Sequence, residues 1–332
     1  MNFEPLSVAR KISYGLFAAL ILAAILLHMG NVMLAALFSF MILDLTHRAL
    51  ARAAPGLLAR GGAVVIFAII ATSLSWLLVY FARLALSRMD VILSSIIPQL
   101  DLLTSRYNVD LPFENIQELR QTLLQAIRQN AASLTTTSQI LTKGFFQIVI
   151  GIFAAILCFL DTRPANYKPN LFDYIRREFN ERVALFMGSF ERVFGAQALI
   201  SLINSGLTAI YLIAAGIPYV QFLTLTTFIL GMLPLIGNVA SNTIIVGTAL
   251  TISPRLAVLS LAFLIFIHKL EYFLNSHIVG SRTDIPMWQV LLGLLVGEAV
   301  LGVAGIMLAP AMIHYIREEL QRISARAGRQ AA

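Results

Sequence analysis

The chain is a succession of long apolar runs, and that feature leaves few folds open to it. Such runs occupy 12–29, 31–46, 61–86, 144–160, 195–216, 219–236, 238–252, 255–274 and 287–315. A hydrocarbon layer about 30 Å thick is crossed by roughly 20 residues of helix. Within lipid, only helices and closed barrels satisfy their backbone hydrogen bonds. These runs lack the period-two alternation of barrel strands and therefore read as helices. Composition points the same way. Of 332 residues, 58% are hydrophobic and 12% charged, where soluble domains average about 45–50% and about 25%. The expected fold is all-α, a polytopic integral membrane protein with about eight membrane-embedded helices, some broken or re-entrant, plus a small external helical region. Three parts are expected: N-terminal transmembrane helices (1–86), an extracytoplasmic helical region (87–143) and a C-terminal transmembrane core (144–332).

The formal charge of +7 resides in short basic clusters between apolar runs. That placement suits anionic lipid headgroups and topology rather than nucleic acid. Arg48, Arg52 and Arg60 lie in one connection, Arg163, Lys168, Arg176, Arg177, Arg182 and Arg192 in a second, and Arg317, Arg322, Arg326 and Arg329 in the tail. Basic loops face the cytoplasm, so both termini are expected there, in an inner (plasma) membrane. Arg10 and Lys11 precede the first run, which meets the second with no small-residue cleavage site between them, so it reads as an uncleaved span. The lone Cys158 excludes an intrachain disulfide and a cysteine-based zinc site.

Two segments mix polar and apolar residues. Ile116, Leu119, Leu123, Leu124 and Ile127 recur at helical spacing in the 87–143 region, which is too short for a sizeable core of its own. Phe172, Ile175, Phe179, Val183, Phe186, Phe190 and Val193 follow gaps of three and four, opposite Arg176, Arg177, Glu181 and Arg192. This amphipathic stripe suits a cytoplasmic helix at the headgroup level, or a helix packed on its own protein; the first reading is slightly favoured.

No H-E-x-x-H, G-x-S-x-G or phosphate-loop motif is present. The five histidines are scattered, with no metal pair on one helix face. The chain is therefore expected to be no enzyme and to use neither cofactor nor metal. Ionisable groups within apolar runs are more informative, since each costs about 2.5–3.5 kcal/mol at a helix centre in lipid. Glu298 lies about eleven residues into its run, roughly mid-membrane if that helix is straight. In "HKLEYFLNSHIVGSR" (268–282), His268, Glu271 and Asn275 share a helix face. Gln197, Asn204 and Thr208 share another. These are the candidate lining of a pathway for a small solute or ion; the alternative is polar contact between helices. Pro234 and Gly237 are expected to break a helix, as are Gly302, Gly305 and Pro310. Gly293 and Gly297 form a GxxxG pair that brings backbones close.

The C-terminal half, through "GIPYVQFLTLTTFILGMLPLIG" and "KLEYFLNSHIVGSRTDIPMWQVLLGLLVGEAVLGVAGIMLAPA", resembles the autoinducer-2 exporter family of bacterial inner-membrane permeases. The shared features are Pro234 and Gly237; Glu271 and Asn275; Ile278, Gly280 and Arg282; Pro286; and Gly297, Gly302, Gly305 and Pro310. Where that family usually has proline, this chain has Asn238 and His277, and "ILDLTH" lacks the proline often found there. The resemblance implies a multi-span, homo-oligomeric permease. It also implies export of a small signalling molecule such as autoinducer-2, or cation/proton antiport. An oligomeric channel-like or structural scaffold is the reading from another class.

Overall fold

The computed structural model describes residues 4–53, 55–77, 79–80, 83, 138–161, 170–233, 236–278 and 286–331. The described residues are helical, with no strand among them. In chain order the helices are α1 (Glu4–Leu26), α2 (Gly30–Leu50), α3 (Gly56–Leu77), α4 (Ser138–Leu160), α5 (Leu171–Ala214), α6 (Val220–Gly231), α7 (Ile236–Leu250), α8 (Pro254–Ile278), α9 (Met287–Leu301) and α10 (Val303–Ala331). Among the described residues, five helices are long and apolar enough to cross a membrane: Val8–Leu26, Gly30–Leu50, Gly56–Leu77, Thr142–Leu160 and the Leu171–Ala214 helix. Their outer faces carry large exposed apolar side chains, among them Leu16, Leu20, Ile69, Phe153, Leu157 and Ile210. Lipid is the solvent for such faces. This is a polytopic helical membrane protein.

The expected extracytoplasmic region at 87–143 falls outside the described residues except for its last six, which open α4. The amphipathic stripe and the following apolar run form one 44-residue helix, α5. No proline separates the two runs, and the helix passes through Gly195 at their junction.

Contacts divide the chain into two compact units. The first comprises Met1–Ala71, Lys143–Gly195 and Thr283–Ala332, and the second Thr72–Thr142 and Ala196–Arg282. In the first unit the aromatic stripe of α5 is covered. Phe186, Phe190 and Phe194 are buried with Phe17 of α1, Leu37 of α2, and Leu308, Ala311 and Tyr315 of α10. Phe38 stands edge-on to both Phe190 and Phe194 at 5.0 Å between centroids. The slightly favoured headgroup-level reading therefore gives way to the packed one, although Phe172, at the start of the helix, remains exposed. Helix association in lipid is driven by such close packing rather than by expelled water.

Charges are buried at the edge of this core. Arg182 is 2% exposed. It donates to the Glu178 carbonyl and carboxylate and lies 3.7 Å over the Tyr14 ring. Arg10 adds a 3.3 Å bond to Glu178, and Tyr14 donates to Glu319. An arginine can be buried when its donors find a carboxylate and its plane an aromatic face.

Helices α9 and α10 pair antiparallel in the same unit. Gly297 and Gly305 meet backbone to backbone, so that a Cβ on either would run into the other's carbonyl. The break between them is Gly302, at φ 61° and ψ −142°. Side chains avoid that region. Pro310, expected among the breaks, lies inside α10 without ending it. A proline removes one helix donor, a loss that transmembrane helices tolerate when neighbours and local adjustment compensate.

Candidate functional site

In the second unit, α5 presents a polar face to the helices that follow it. Gln197 Nε2 donates to the Gly231 carbonyl at 2.7 Å, and Ser201 Oγ to the Phe228 carbonyl at 2.6 Å. Both acceptors lie at the end of α6, where the last carbonyls lack helical partners. The two bonds also set an antiparallel register, since advancing four residues on α5 moves back three on α6. One turn further, that register brings Asn204 opposite Thr224. Here satisfaction stops: Asn204 Oδ1, Thr208 Oγ1 and Thr224 Oγ1 are buried and have no partner among the described residues. Asn204 and Thr208 are only 5% and 1% exposed. Buried polar atoms of this kind call for water, an ion or a solute.

Beyond Gly231 the chain turns back sharply. Gly237, in the first turn of α7, lies so close to the Leu230 carbonyl that a Cβ would overlap it. Only glycine permits that approach. The turn aims Asn238 at α8, where its Nδ2 lies 2.9 Å and 2.7 Å from the two carboxylate oxygens of Glu271. Glu271 is 8% exposed. His268, one turn earlier on α8 and exposed, holds Nδ1 3.9 Å from the same carboxylate. Ser201 and Asn238 both flank Gly231, so one polar seam runs from Thr208 along α5 to Gly231, Asn238 and Glu271.

The structure therefore brings Gln197, Asn204, His268 and Glu271 into one unit. Asn275 lies in α8, but its side chain, like Pro234 and Gly280, is outside the described residues. Glu298 belongs to the first unit. It is exposed on the same stripe of α9 as Leu291 and Leu295, one turn before the helix ends at Leu301. That end of a helix dipole does not favour an anion. A straight span through Gly302 would have put this carboxyl in mid-membrane, but the helix stops there.

Sequence reasoning overlooked Asn238, Ser201 and Thr224. Asn238 had a signal, standing as a polar residue directly after a bend glycine. Ser201 and Thr224 had none, because their role depends on the register between two helices. No group of three His, Cys, Asp or Glu able to hold a metal occurs among the described residues.

The geometry amounts to a buried carboxylate and a seam of neutral oxygens within a bundle of membrane helices. A family model described as "AI-2E family transporter" matches residues 12–324. The chain is also 29% identical, over 180 residues, to the "Putative transport protein YdbI" of Bacillus subtilis (strain 168). That match covers 52% of this chain and 51% of the relative, so the chain spans about half the length of the curated relative it matches. With nearly all of its spans and glycine breaks inside the matched region, the chain belongs to the AI-2E family of transporters.

Proposed function

We propose that the chain is a secondary permease of the bacterial inner membrane, with both termini cytoplasmic, that moves a small polar solute along the seam of its second unit. The observation that carries this reading is Glu271, a carboxylate 8% exposed whose two oxygens face the Asn238 amide. An ionisable group buried in a membrane helix is costly and marks a solute, ion or proton pathway. Asn204, Thr208 and Thr224 offer neutral oxygens along the same seam, and Gln197 and Ser201 hold its α6 wall. Protonation of a carboxylate couples transport to a pH gradient, and Glu271 and Glu298 are the two candidates for that step. A small signalling molecule such as autoinducer-2 is the favoured solute, with cation/proton exchange as the alternative cargo. The working form is a homo-oligomer.

The test is flux into proteoliposomes, with and without a pH gradient, using autoinducer-2 and, separately, sodium or potassium. Glu271→Gln is expected to abolish gradient-driven flux while the protein remains folded. Glu298→Gln separates the two carboxylates: if it alone removes the pH dependence, coupling belongs to α9. Were every variant to lose oligomer size while no preparation moved any solute, the structural-scaffold reading would hold instead.

A further inference from the structure

The polar seam of the second unit has a far end beyond Thr208. Tyr211 Oη and Ser260 Oγ share a 2.8 Å hydrogen bond between α5 and α8, and the Tyr211 ring stacks on Phe263 at 4.1 Å between centroids. Ser260 is fully buried. This pair and the Asn238–Glu271 pair together set the register of the two helices. Ser201 and Asn238 both stand beside Gly231, which places Ser201 level with Glu271. Ten residues of α5 lead from Ser201 to Tyr211, and eleven of α8 lead back from Glu271 to Ser260. The two rises match, at ~15 Å and ~17 Å. The helices therefore run antiparallel, with Asn204 and Thr208 stacked between the two pairs.

Hydroxyls in this bundle follow two patterns. Ser205, Thr227 and Thr248 donate to the carbonyl one turn back in their own helices, at 2.6 Å, 2.8 Å and 2.8 Å. That bond satisfies a hydroxyl without any outside partner. Thr208 and Thr224 forgo it. Their Oγ1 atoms, with Asn204 Oδ1, are buried and unpartnered among the described residues. Neighbours on one helix face lie about 5–6 Å apart. A molecule that bridges two oxygens through hydrogen bonds of about 2.8 Å each spans that gap. The spacing therefore fits one water between successive levels of the seam.

The same residues select water over an ion. From Ala196 to Ala214, and throughout α6 and α7, the sequence carries no charged residue. The two threonine hydroxyls need acceptors for their hydrogens, and Asn204 Oδ1 needs a donor. Water meets both needs, whereas a cation can only take lone pairs. Buried waters make about three hydrogen bonds each to groups of this kind.

We propose that Asn204, Thr208 and Thr224 hold a single file of water that carries protons between the Tyr211–Ser260 pair and Glu271. The proposal rests on the reading of Glu271 as a coupling carboxylate. Each water or hydroxyl oxygen in the file takes up one proton and releases another. The net step adds one proton to the Glu271 carboxylate and removes one from solvent at the far end. Asn204 anchors water through its oxygen, and Tyr211 and Ser260 can each donate or accept. The groups that face Glu271 are the Asn238 amide of α7 and, on its own helix, the His268 imidazole at 3.9 Å.

Two measurements test this. The first is electron cryo-microscopy of the full chain in lipid nanodiscs, in sodium and in choline buffer, at a resolution that shows water. Density at hydrogen-bond distance from Asn204 Oδ1, Thr208 Oγ1 and Thr224 Oγ1 is expected in both buffers. Density confined to the sodium buffer would assign an ion, and no density in either would leave the oxygens dry; each result overturns the proposal. The second is proton uptake by proteoliposomes after an external acid jump, read by an enclosed pH-sensitive dye. Thr208→Val keeps the shape and removes the hydroxyl. It is expected to slow uptake about tenfold, as the loss of one hydrogen bond on the route implies. Asn204→Leu is expected to do the same, while Thr208→Ser restores most of the rate. Thr243→Val is the control, because the Thr243 hydroxyl bonds to the Val239 carbonyl at an exposed position. Uptake that Glu271→Gln abolishes but Thr208→Val and Asn204→Leu leave intact would overturn the water file and keep Glu271 as the coupling carboxylate. Uptake that the two α5 changes slow but Glu271→Gln leaves intact would reject Glu271 as the terminus, and with it the coupling assigned to that carboxylate.

Discussion

Asn238 holds both carboxylate oxygens of Glu271, at 2.9 Å and 2.7 Å, across thirty-three residues of chain. The amide stands directly after the glycine that lets α7 fold back onto α6. The carboxylate is the first polar candidate of the α8 stripe to find its partner on another helix. A polar residue in the first turn of α7 thus becomes the contact for a buried charge.

Removing either side of this pair has unequal consequences. Asn238→Ala leaves a buried carboxylate without its amide, a loss of about 1.5–3 kcal/mol for hydrogen bonds to a charged group. Glu271→Gln keeps an amide partner and removes the charge, so its cost is expected to be smaller. Thermal unfolding in lipid nanodiscs checks the order. A melting temperature of Asn238→Ala equal to that of the unaltered protein would show that Asn238 contributes nothing to holding Glu271.

Arg182 should behave as a buried ion-pair member. Arg182→Ala leaves Glu178 with Arg10 alone and removes the guanidinium over Tyr14, and breaking a buried pair costs about 3–5 kcal/mol. The double change Arg182→Met with Glu178→Leu removes both charges and is expected to recover most of that stability. If the double variant is as unstable as the single one, the role of Arg182 is packing rather than charge.

The glycine contact of α9 with α10 admits no side chain. Gly305→Ala is expected to lower the melting temperature by several degrees, since overpacking a tight contact costs about 1–3 kcal/mol. Gly144→Ala is the control. Nothing lies within 4 Å of its Cβ position, and alanine gains about 0.5–1 kcal/mol in a helix interior. A melt that falls equally for both would indicate a general effect of the methyl group.

The exposed ion pairs should matter little. Arg48 reaches Glu191 at 2.8 Å and Arg192 reaches Glu318 at 3.2 Å, with both arginines more than half exposed. Glu191→Gln is expected to change stability by less than about 1 kcal/mol, and by less still in high salt. A larger, salt-insensitive loss would mean that this pair is shielded from solvent.

Several elements are legible in the sequence. Gly302 was expected as a break and is one, because a glycine amid apolar residues is a local signal for a backbone that side chains cannot follow. Gly237 differs: it lies within the first turn of α7, and glycine is needed there for the close approach of the Leu230 carbonyl. Pro310 was grouped with them, yet α10 runs through it. A missing donor is a local defect, and whether it ends a helix depends on what surrounds it. The α5 stripe was visible by its spacing, but spacing alone could not say whether lipid or protein would cover Phe190.

By itself, then, the sequence determined the helical membrane class, roughly where its apolar runs lie, and which residues of one run share a face, since each follows from hydropathy and periodicity along one segment. Tertiary structure alone decided that Phe186 and Phe190 pack on Phe17 and Tyr315, that Asn238 meets Glu271, and that Ser201 seals the end of α6. Those outcomes depend on which helices lie side by side and in what register. Register is set by the sum of many contacts between segments far apart in the chain, and no single stretch encodes it.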